Sequence, residues 1–246
     1  MRYKRGKYTK YRLMAKSPEL AAAIPSFRKF TLNNFQTLLN RYERVIVKPS
    51  CGWGGAGVIA VTKQGDGSCL VHKDRRVRIK SSAESAYAYL KRYTRGKTYI
   101  VQRKIALATV KGRPFDLRVM VQRDRSGKWV VTGKLAKVAG SGYIITNIRR
   151  SRGRVLPFAA AIERSNIEGR SAGEIARDIG RISLAAARHL QTCYSIRTVG
   201  FDIGVDSRGR VWIIEPNFRP DISLFRKLKD QSAYRRIRSF MRKRAT

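Results

Sequence analysis

An α+β fold of two sheet-rich lobes with helices packed on them follows from three features of the sequence. Short β-branched and apolar runs cluster over residues 45–72, 99–138 and 199–214, with turn residues between them. Stretches with apolar residues at helical spacing interrupt these runs, the longest over residues 172–194. The chain shows no internal repeat and no low-complexity linker. Strand groups alternating with helices in this way point to layered α+β packing.

In chain order, Ser17-Pro18-Glu19 supplies a cap, an N1 proline and an acid for a helix running to Ile24. Thr31 caps a second helix, where Phe35, Leu38, Leu39 and Tyr42 recur on one face. Val45-Ile46-Val47-Lys48-Pro49 then reads as a buried strand entering a glycine-rich turn over residues 50–57. Residues 58–61 lead out of it, and Gly65-Asp66-Gly67 is a hairpin signal before a strand at 69–72. A helix is expected over 83–93 and a strand over 99–102. Two longer strands at 115–122 and 129–138 are joined by a turn at 125–128. A short strand follows at 143–146. After the long helix, residues 199–205 and 211–214 form an antiparallel pair around Ser207-Arg208-Gly209-Arg210, and a basic helix from about Leu224 closes the chain.

Lys and Arg number 54 against 16 Asp and Glu, a formal charge of +38, while 43% of the 246 residues are hydrophobic. That much apolar material excludes a disordered basic tail, and the charge calls for an anionic partner such as nucleic acid, another polyanion or an acidic peptide. Both ends are basic, and Tyr3, Tyr8 and Tyr11 interleave with the first cluster in a manner suited to stacking on bases. The alternative is a solvated basic face acting through counterion release. No zinc-finger or RRM signature is present. No apolar run approaches membrane-span length and no secretory leader is visible, so a soluble cytoplasmic chain is expected, with no membrane contact. Cys51, Cys69 and Cys193 form no CxxC pair, and His72 and His189 are too few for a Cys/His zinc site. Reduced thiols are the expected state.

In so cationic a chain, carboxylates that interrupt apolar strands carry information. Asp116, Asp202 and Glu215 all do so, and a buried carboxylate needs a cation, either Arg/Lys or a metal. Asp202, Glu215 and Asn217 fall at facing ends of one predicted hairpin. Glu215 and Asn217, two apart, point to the same strand face, so the three oxygens can converge on a hard ion such as Mg²⁺. The glycines of Ser50-Cys51-Gly52-Trp53-Gly54-Gly55-Ala56-Gly57 would let backbone amides approach phosphate, with Lys48 at the edge as a point charge. A plain hairpin loop would look similar on its own, because the segment is neither a P-loop nor a GxGxxG fingerprint.

Four blocks together resemble the ATP-grasp superfamily, most closely its YheC/YheD type from endospore-coat-associated proteins. They are residues 45–49 with the glycine loop, residues 99–105, Phe115-Asp116-Leu117-Arg118-Val119-Met120-Val121-Gln122, and Gly200-Phe201-Asp202-Ile203-Gly204 through Ile214-Glu215-Pro216-Asn217. The resemblance covers residues 5–226. It implies two α+β lobes gripping ATP: a shortened pre-grasp region over 1–43, a small lobe over 44–104, a large lobe over 105–226 and a basic tail over 227–246. It also implies that Lys48 and the loop glycines Gly52, Gly54, Gly55 and Gly57 bind the phosphates. Gln102, Arg103 and Ile105 would form the hinge meeting adenine. Lys7 would stand as an earlier nucleotide lysine, and Asn147 beside Thr146 would flank the phosphates. Arg118 would contact the transferring phosphoryl group or a substrate carboxylate, and Lys137 would be a second anion contact. Asp202, Glu215 and Asn217 would hold Mg²⁺.

The activity so implied is an ATP- and Mg²⁺-dependent carboxylate–amine ligase acting on an acidic substrate, peptide or polymer, in a spore-associated setting. Ser151-Arg152-Gly153 stands where relatives carry a glycine pair, and Asn217-Phe218-Arg219-Pro220 departs from the usual ending. Against the family pattern the preceding substrate-binding domain is expected to be shortened or absent, so that a partner subunit, a second copy or the basic surface itself would complete the substrate site. Two other classes compete: an ATP-binding scaffold that binds nucleic acid or another polyanion without turnover, and phosphotransfer to a non-carboxylate acceptor.

Overall fold

Helix α1 (Lys7–Met14) opens the described chain, followed by α2 (Pro18–Ala22), strand β1 (Phe27–Lys29) and α3 (Leu32–Tyr42). The computed structural model describes residues 3, 5–52, 54–141, 146 and 148–241. Next come β2 (Arg44–Pro49), β3 (Ile59–Lys63), β4 (Cys69–Lys73), β5 (Arg76–Lys80), α4 (Ala83–Thr94) and β6 (Tyr99–Arg103). These strands form one antiparallel sheet in the order β1-β6-β2-β3-β4-β5. Helices α3 and α4 cover one side of it. Thr31 caps α3 by accepting from the Asn34 amide, and Phe35, Leu38 and Leu39 then fall on one buried face. A reciprocal Ser82–Ser85 cap starts α4. Together with Val45, Val47, Val61 and Val71 these helices enclose the small lobe's core.

The large lobe holds β7 (Thr109–Val110), β8 (Arg113–Arg123), β9 (Trp129–Val138), α5 (Ile148–Ser151), β10 (Arg154–Pro157), α6 (Phe158–Glu163), α7 (Ala172–Gln191), β11 (Thr198–Val205) and β12 (Val211–Asn217). Its antiparallel sheet runs β10-β9-β8-β11-β12, with β7 paired to β8. Helix α7 begins with a Ser171/Glu174 capping box and lays Ile175, Ile179, Ile182, Ala186 and Leu190 on this sheet. A 3₁₀ turn (Ser223–Lys227) and α8 (Ser232–Met241) pack against β8 and β9, where Met120, Leu135, Phe225 and Ile237 form a small separate cluster. A β-carbon on Gly133 would lie 2.8 Å from the tip of Ile237 and 2.9 Å from the Phe225 ring, so any side chain there would push this cluster apart.

Several expectations are corrected. The basic amino end is only in part a solvated face: Arg5, Arg12 and Lys16 are exposed, but α1 buries Lys7, Lys10, Tyr11, Leu13 and Met14 and packs on α7 and β12. Segment 1–43 therefore serves both lobes, with α1 and α2 on the large one and β1 and α3 in the small one. The closing helix starts at Ser232 rather than near Leu224, because the 3₁₀ turn ends at Lys227 and Asp230 bonds the Ser232 amide. Strands β1, β5, β7 and β10 were not anticipated. β5 alternates arginine with aliphatics yet is mostly exposed, and β10 ends in a proline. Of the strand expected at 143–146, residues 143–145 lie outside the described residues and Thr146 is not in a strand.

Candidate functional site

Between the two sheets lies a cleft of about 1230 Å³. Its floor is set by register on the large-lobe sheet. Asp202 on β11 sits opposite Arg118 on β8 and opposite Glu215 on β12, while Asp116 on β8 sits opposite Lys137 on β9. Directly opposed residues share a sheet face, and so do residues two apart on one strand. One side of four adjacent strands thus carries Lys137, Asp116, Arg118, Asp202 and Glu215 as a continuous charged row. Asn217, two beyond Glu215, joins it.

These groups are locked together. Arg118 donates from Nε to Asp202 Oδ1 at 3.0 Å, and its terminal nitrogen lies 3.0 Å from the same oxygen. Lys137 Nζ reaches Asp202 Oδ1 at 2.8 Å and Asp116 Oδ1 at 2.9 Å. Thr146 donates its hydroxyl to the other Asp116 oxygen. Burial alone would raise the Asp202 pKa, but Arg118 and Lys137 pull it down to about 2. Asp116 is raised by burial despite Lys137. Burial disfavours the charge on Arg118 and Lys137 as well, yet the facing carboxylates hold both above their ordinary values.

The opposing wall is built from β2, β6 and the glycine loop, and α1 of the large lobe reaches it through Lys7 and Tyr11. Lys48 on β2 donates to the Tyr11 hydroxyl at 2.9 Å, and Tyr11 donates to the Ile214 carbonyl. Lys7 donates to the Gly52 carbonyl at 2.9 Å and pairs with Glu215 at 3.1 Å, so it ties the glycine loop to the charged row. Lys10 caps the Pro216 carbonyl. Burial lowers the pKa of both Lys48 and Lys10 to about 8, against a partial rise from Glu215. Gly54 and Gly55 hold φ of 71° and 72°, the left-handed region that side chains disfavour, and their backbone lines the cleft.

The structure brings Lys48, Gly54, Gly55, Gln102, Arg103, Ile105, Arg118, Lys137, Asp202, Glu215 and Asn217 to this one cleft. Gly57 instead backs onto Tyr99 and Pro49, and Gly52 presents its carbonyl to Lys7. Gln102 donates its side-chain amide to Pro25, and Arg103 lies between the rings of Tyr42 and Trp212. Asn147 lies outside the described residues. Tyr11, read from sequence as a base-stacking ring, is fully buried and belongs to the Lys48 hydrogen-bond chain. Sequence reasoning missed Lys10. Its signal was the spacing of Lys7, Lys10 and Tyr11, which places all three on one helical face.

Among the residues lining the cleft, seven cations face four carboxylates, a balance suited to a polyphosphate. The fit to a divalent ion is narrower. Asp202 Oδ1 is engaged by two cations, its Oδ2 faces the Asn217 amide at 3.5 Å, and Glu215 meets Lys7. Among the described residues, no three His, Cys, Asp or Glu side chains group as metal ligands. With both carboxylates already engaged by cations, this set of hard donors suits an ion that arrives with phosphate oxygens better than Mg²⁺ alone.

The two-lobed fold is one that known proteins share with this chain. The model of YheC/D-like ATP-grasp proteins matches residues 3–245. The chain belongs to the YheC/D-like ATP-grasp family. It is 27% identical over 226 residues to the endospore coat-associated protein YheD of Bacillus subtilis (strain 168), a match covering 89% of the chain and 49% of YheD. The chain thus spans about half the length of that relative. Among solved structures, N5-carboxyaminoimidazole ribonucleotide synthetase in its ADP complex aligns with a TM-score of 0.58 at 12% identity, covering 96% of this chain and 51% of that one. The biotin carboxylase domain of the Hydrogenobacter thermophilus 2-oxoglutarate carboxylase, with MgADP, aligns at 0.56 and 15%, covering 97% and 46%. At these identities the structural likeness establishes the ATP-grasp fold. Among the described residues, no helix is long and apolar enough to cross a membrane.

Proposed function

We propose that the cleft binds ATP with Mg²⁺ and that the protein joins a carboxylate to an amine, the carboxylate belonging to an acidic peptide or polymer. The observation that carries this reading is the charged row on β8, β9, β11 and β12 facing Lys48 and the left-handed glycines across one cleft. Family membership supports nucleotide binding, and a neighbour solved with MgADP supports the ion.

In this reading Gly54 and Gly55 bring backbone amides to the phosphates, and Lys48 neutralises them. Residues 102–105, where β6 leaves the small lobe, meet the adenine. Asp202, Glu215 and Asn217 would hold the ion, which when bound would supply charge neutralisation at the transferring phosphoryl group. A substrate carboxylate oxygen attacks the γ-phosphorus and ADP leaves. An amine then attacks the acyl carbon, its proton passes to solvent, and phosphate departs. No protein nucleophile is needed. Arg118 and Lys137, already fixed by Asp202 and Asp116, orient the acceptor carboxylate and stabilise charge developing on the transferred group. The relative's name supports a spore-associated setting.

The test is ADP release in the presence of Mg²⁺ and candidate carboxylate acceptors such as oligoglutamate. Release that requires both the acceptor and an amine supports the proposal, whereas a protein that binds no nucleotide in Mg²⁺ contradicts it.

A further inference from the structure

The outer end of the small lobe carries a cationic and aromatic surface that the cleft does not use. Residues 73–80 hold five cations against one carboxylate, Asp74, and residues 91–97 hold four cations and none. β5 is the sheet's edge strand and all of its residues but Lys80 are exposed. Register places Arg76, Arg78 and Lys80 opposite Lys73, Val71 and Cys69, so their side chains share the sheet face that α4 covers. Tyr89 and Tyr93, one turn apart on α4, meet them there. Lys73 Nζ lies 3.9 Å from the Tyr93 ring centre and Lys80 Nζ 4.4 Å from that of Tyr89. The rings pack edge to face with centroids 5.4 Å apart, and Tyr93 remains 40% exposed.

We propose that this β5–α4 surface binds single-stranded nucleic acid, with the arginines and lysines tracking phosphates and Tyr93 offering ring surface to a base. Charge complementarity selects a polyanion, and the paired rings within the cationic field select one that carries bases. An acidic polypeptide would use the cations and leave the rings idle. Exposed arginines on α8 lack an equivalent ring pair. β5 lies three strands from β2, about 14 Å at the usual strand spacing. The surface is therefore separate from the cleft, and its occupancy does not depend on the ligase reading.

The test is fluorescence anisotropy of the full chain with a labelled oligothymidylate of about two dozen nucleotides, titrated at several salt concentrations. The wild-type affinity should fall steeply with salt. Tyr93→Ala should weaken binding on the order of tenfold, as removal of one stacked base does, while Tyr93→Phe retains it. Arg76→Ala/Arg78→Ala should lower the magnitude of the log–log salt slope by about one for each phosphate no longer neutralised. Arg235→Ala/Arg236→Ala on α8, which removes equal charge elsewhere, should change neither. The proposal is overturned if Tyr93→Ala is silent, if the α8 variant weakens binding equally, or if polyglutamate competes as well as the oligonucleotide. Matched thermal melts, together with MgADP binding retained in every variant, separate this outcome from misfolding and from failure of the cleft proposal.

Discussion

The two sheets that face each other across the cleft are equipped in opposite ways. The large-lobe sheet presents five charged side chains from consecutive strands, four held by ion pairs of 2.8–3.0 Å on Asp202 and Asp116 and the fifth, Glu215, paired with Lys7 at 3.1 Å. The small lobe presents the buried Lys48, three less buried cations (Arg44, Arg103 and Lys104) that no carboxylate among the described residues locks, and a loop whose contribution is backbone. Central antiparallel strands fix side-chain direction through register, so reacting groups can be placed without help from ligand. A glycine loop fixes little by itself and can follow a phosphate. The difference teaches where each kind of damage should fall: on stability and placement in the large lobe, on ligand affinity in the small one.

The sharpest way to break this division is Asp202→Asn. It removes the shared partner of Arg118 and Lys137 and leaves buried cations under-compensated, which should cost about 3–5 kcal/mol of folding stability. Urea unfolding measures it, and a loss under about 1 kcal/mol would deny that the row is locked. Next in size, Lys48→Met should weaken nucleotide binding roughly ten- to a hundredfold, the range of one charge-assisted hydrogen bond, with stability nearly unchanged. Calorimetric titration with ADP and Mg²⁺ gives the affinity. Gly55→Ala forces a β-carbon onto a φ of 72°, at about 1–2 kcal/mol, and should weaken nucleotide several-fold without moving the unfolding midpoint of the large lobe.

The smallest effect is a pH dependence. Lys48 loses its proton near pH 8 instead of near 10.5, because burial penalises the ammonium. A nucleotide phosphate favours the charged form, so affinity should be flat below pH 8 and decline as pH rises through that value. Binding measured from about pH 6.5 to 9.5 checks the sign, and an affinity that rises above pH 8 would contradict the placement of Lys48 against phosphate.

Much of the large lobe was legible because its sequence signal is periodic and local. Asp116, Asp202 and Glu215 interrupt apolar strands, and an acid in that position within a chain of charge +38 has to meet a cation. The meeting of Asp202 with Arg118 and Lys137 together needs strand order β9-β8-β11, which no local pattern encodes. The glycine loop was legible as a loop, but not that Gly57 supports Tyr99 while Gly54 and Gly55 line the cleft. The amino end misled because charge dominates its composition. The i, i+3, i+4 spacing of Lys7, Lys10 and Tyr11 matters more, since it turns two lysines and a phenol inward to Glu215, Pro216 and Ile214. β5 was illegible for the converse reason: an exposed edge strand buries no face from which a pattern could be read.

The most direct test of the central claim is calorimetric titration of wild-type protein and Glu215→Gln with Mg²⁺ alone, with ADP alone, and with both. Because cations already engage both carboxylates, the account predicts little binding of Mg²⁺ by itself, tighter ADP binding when the ion is present, and loss of that gain in Glu215→Gln. Nucleotide affinity indifferent to both the ion and the substitution, or no nucleotide binding at all, would contradict it.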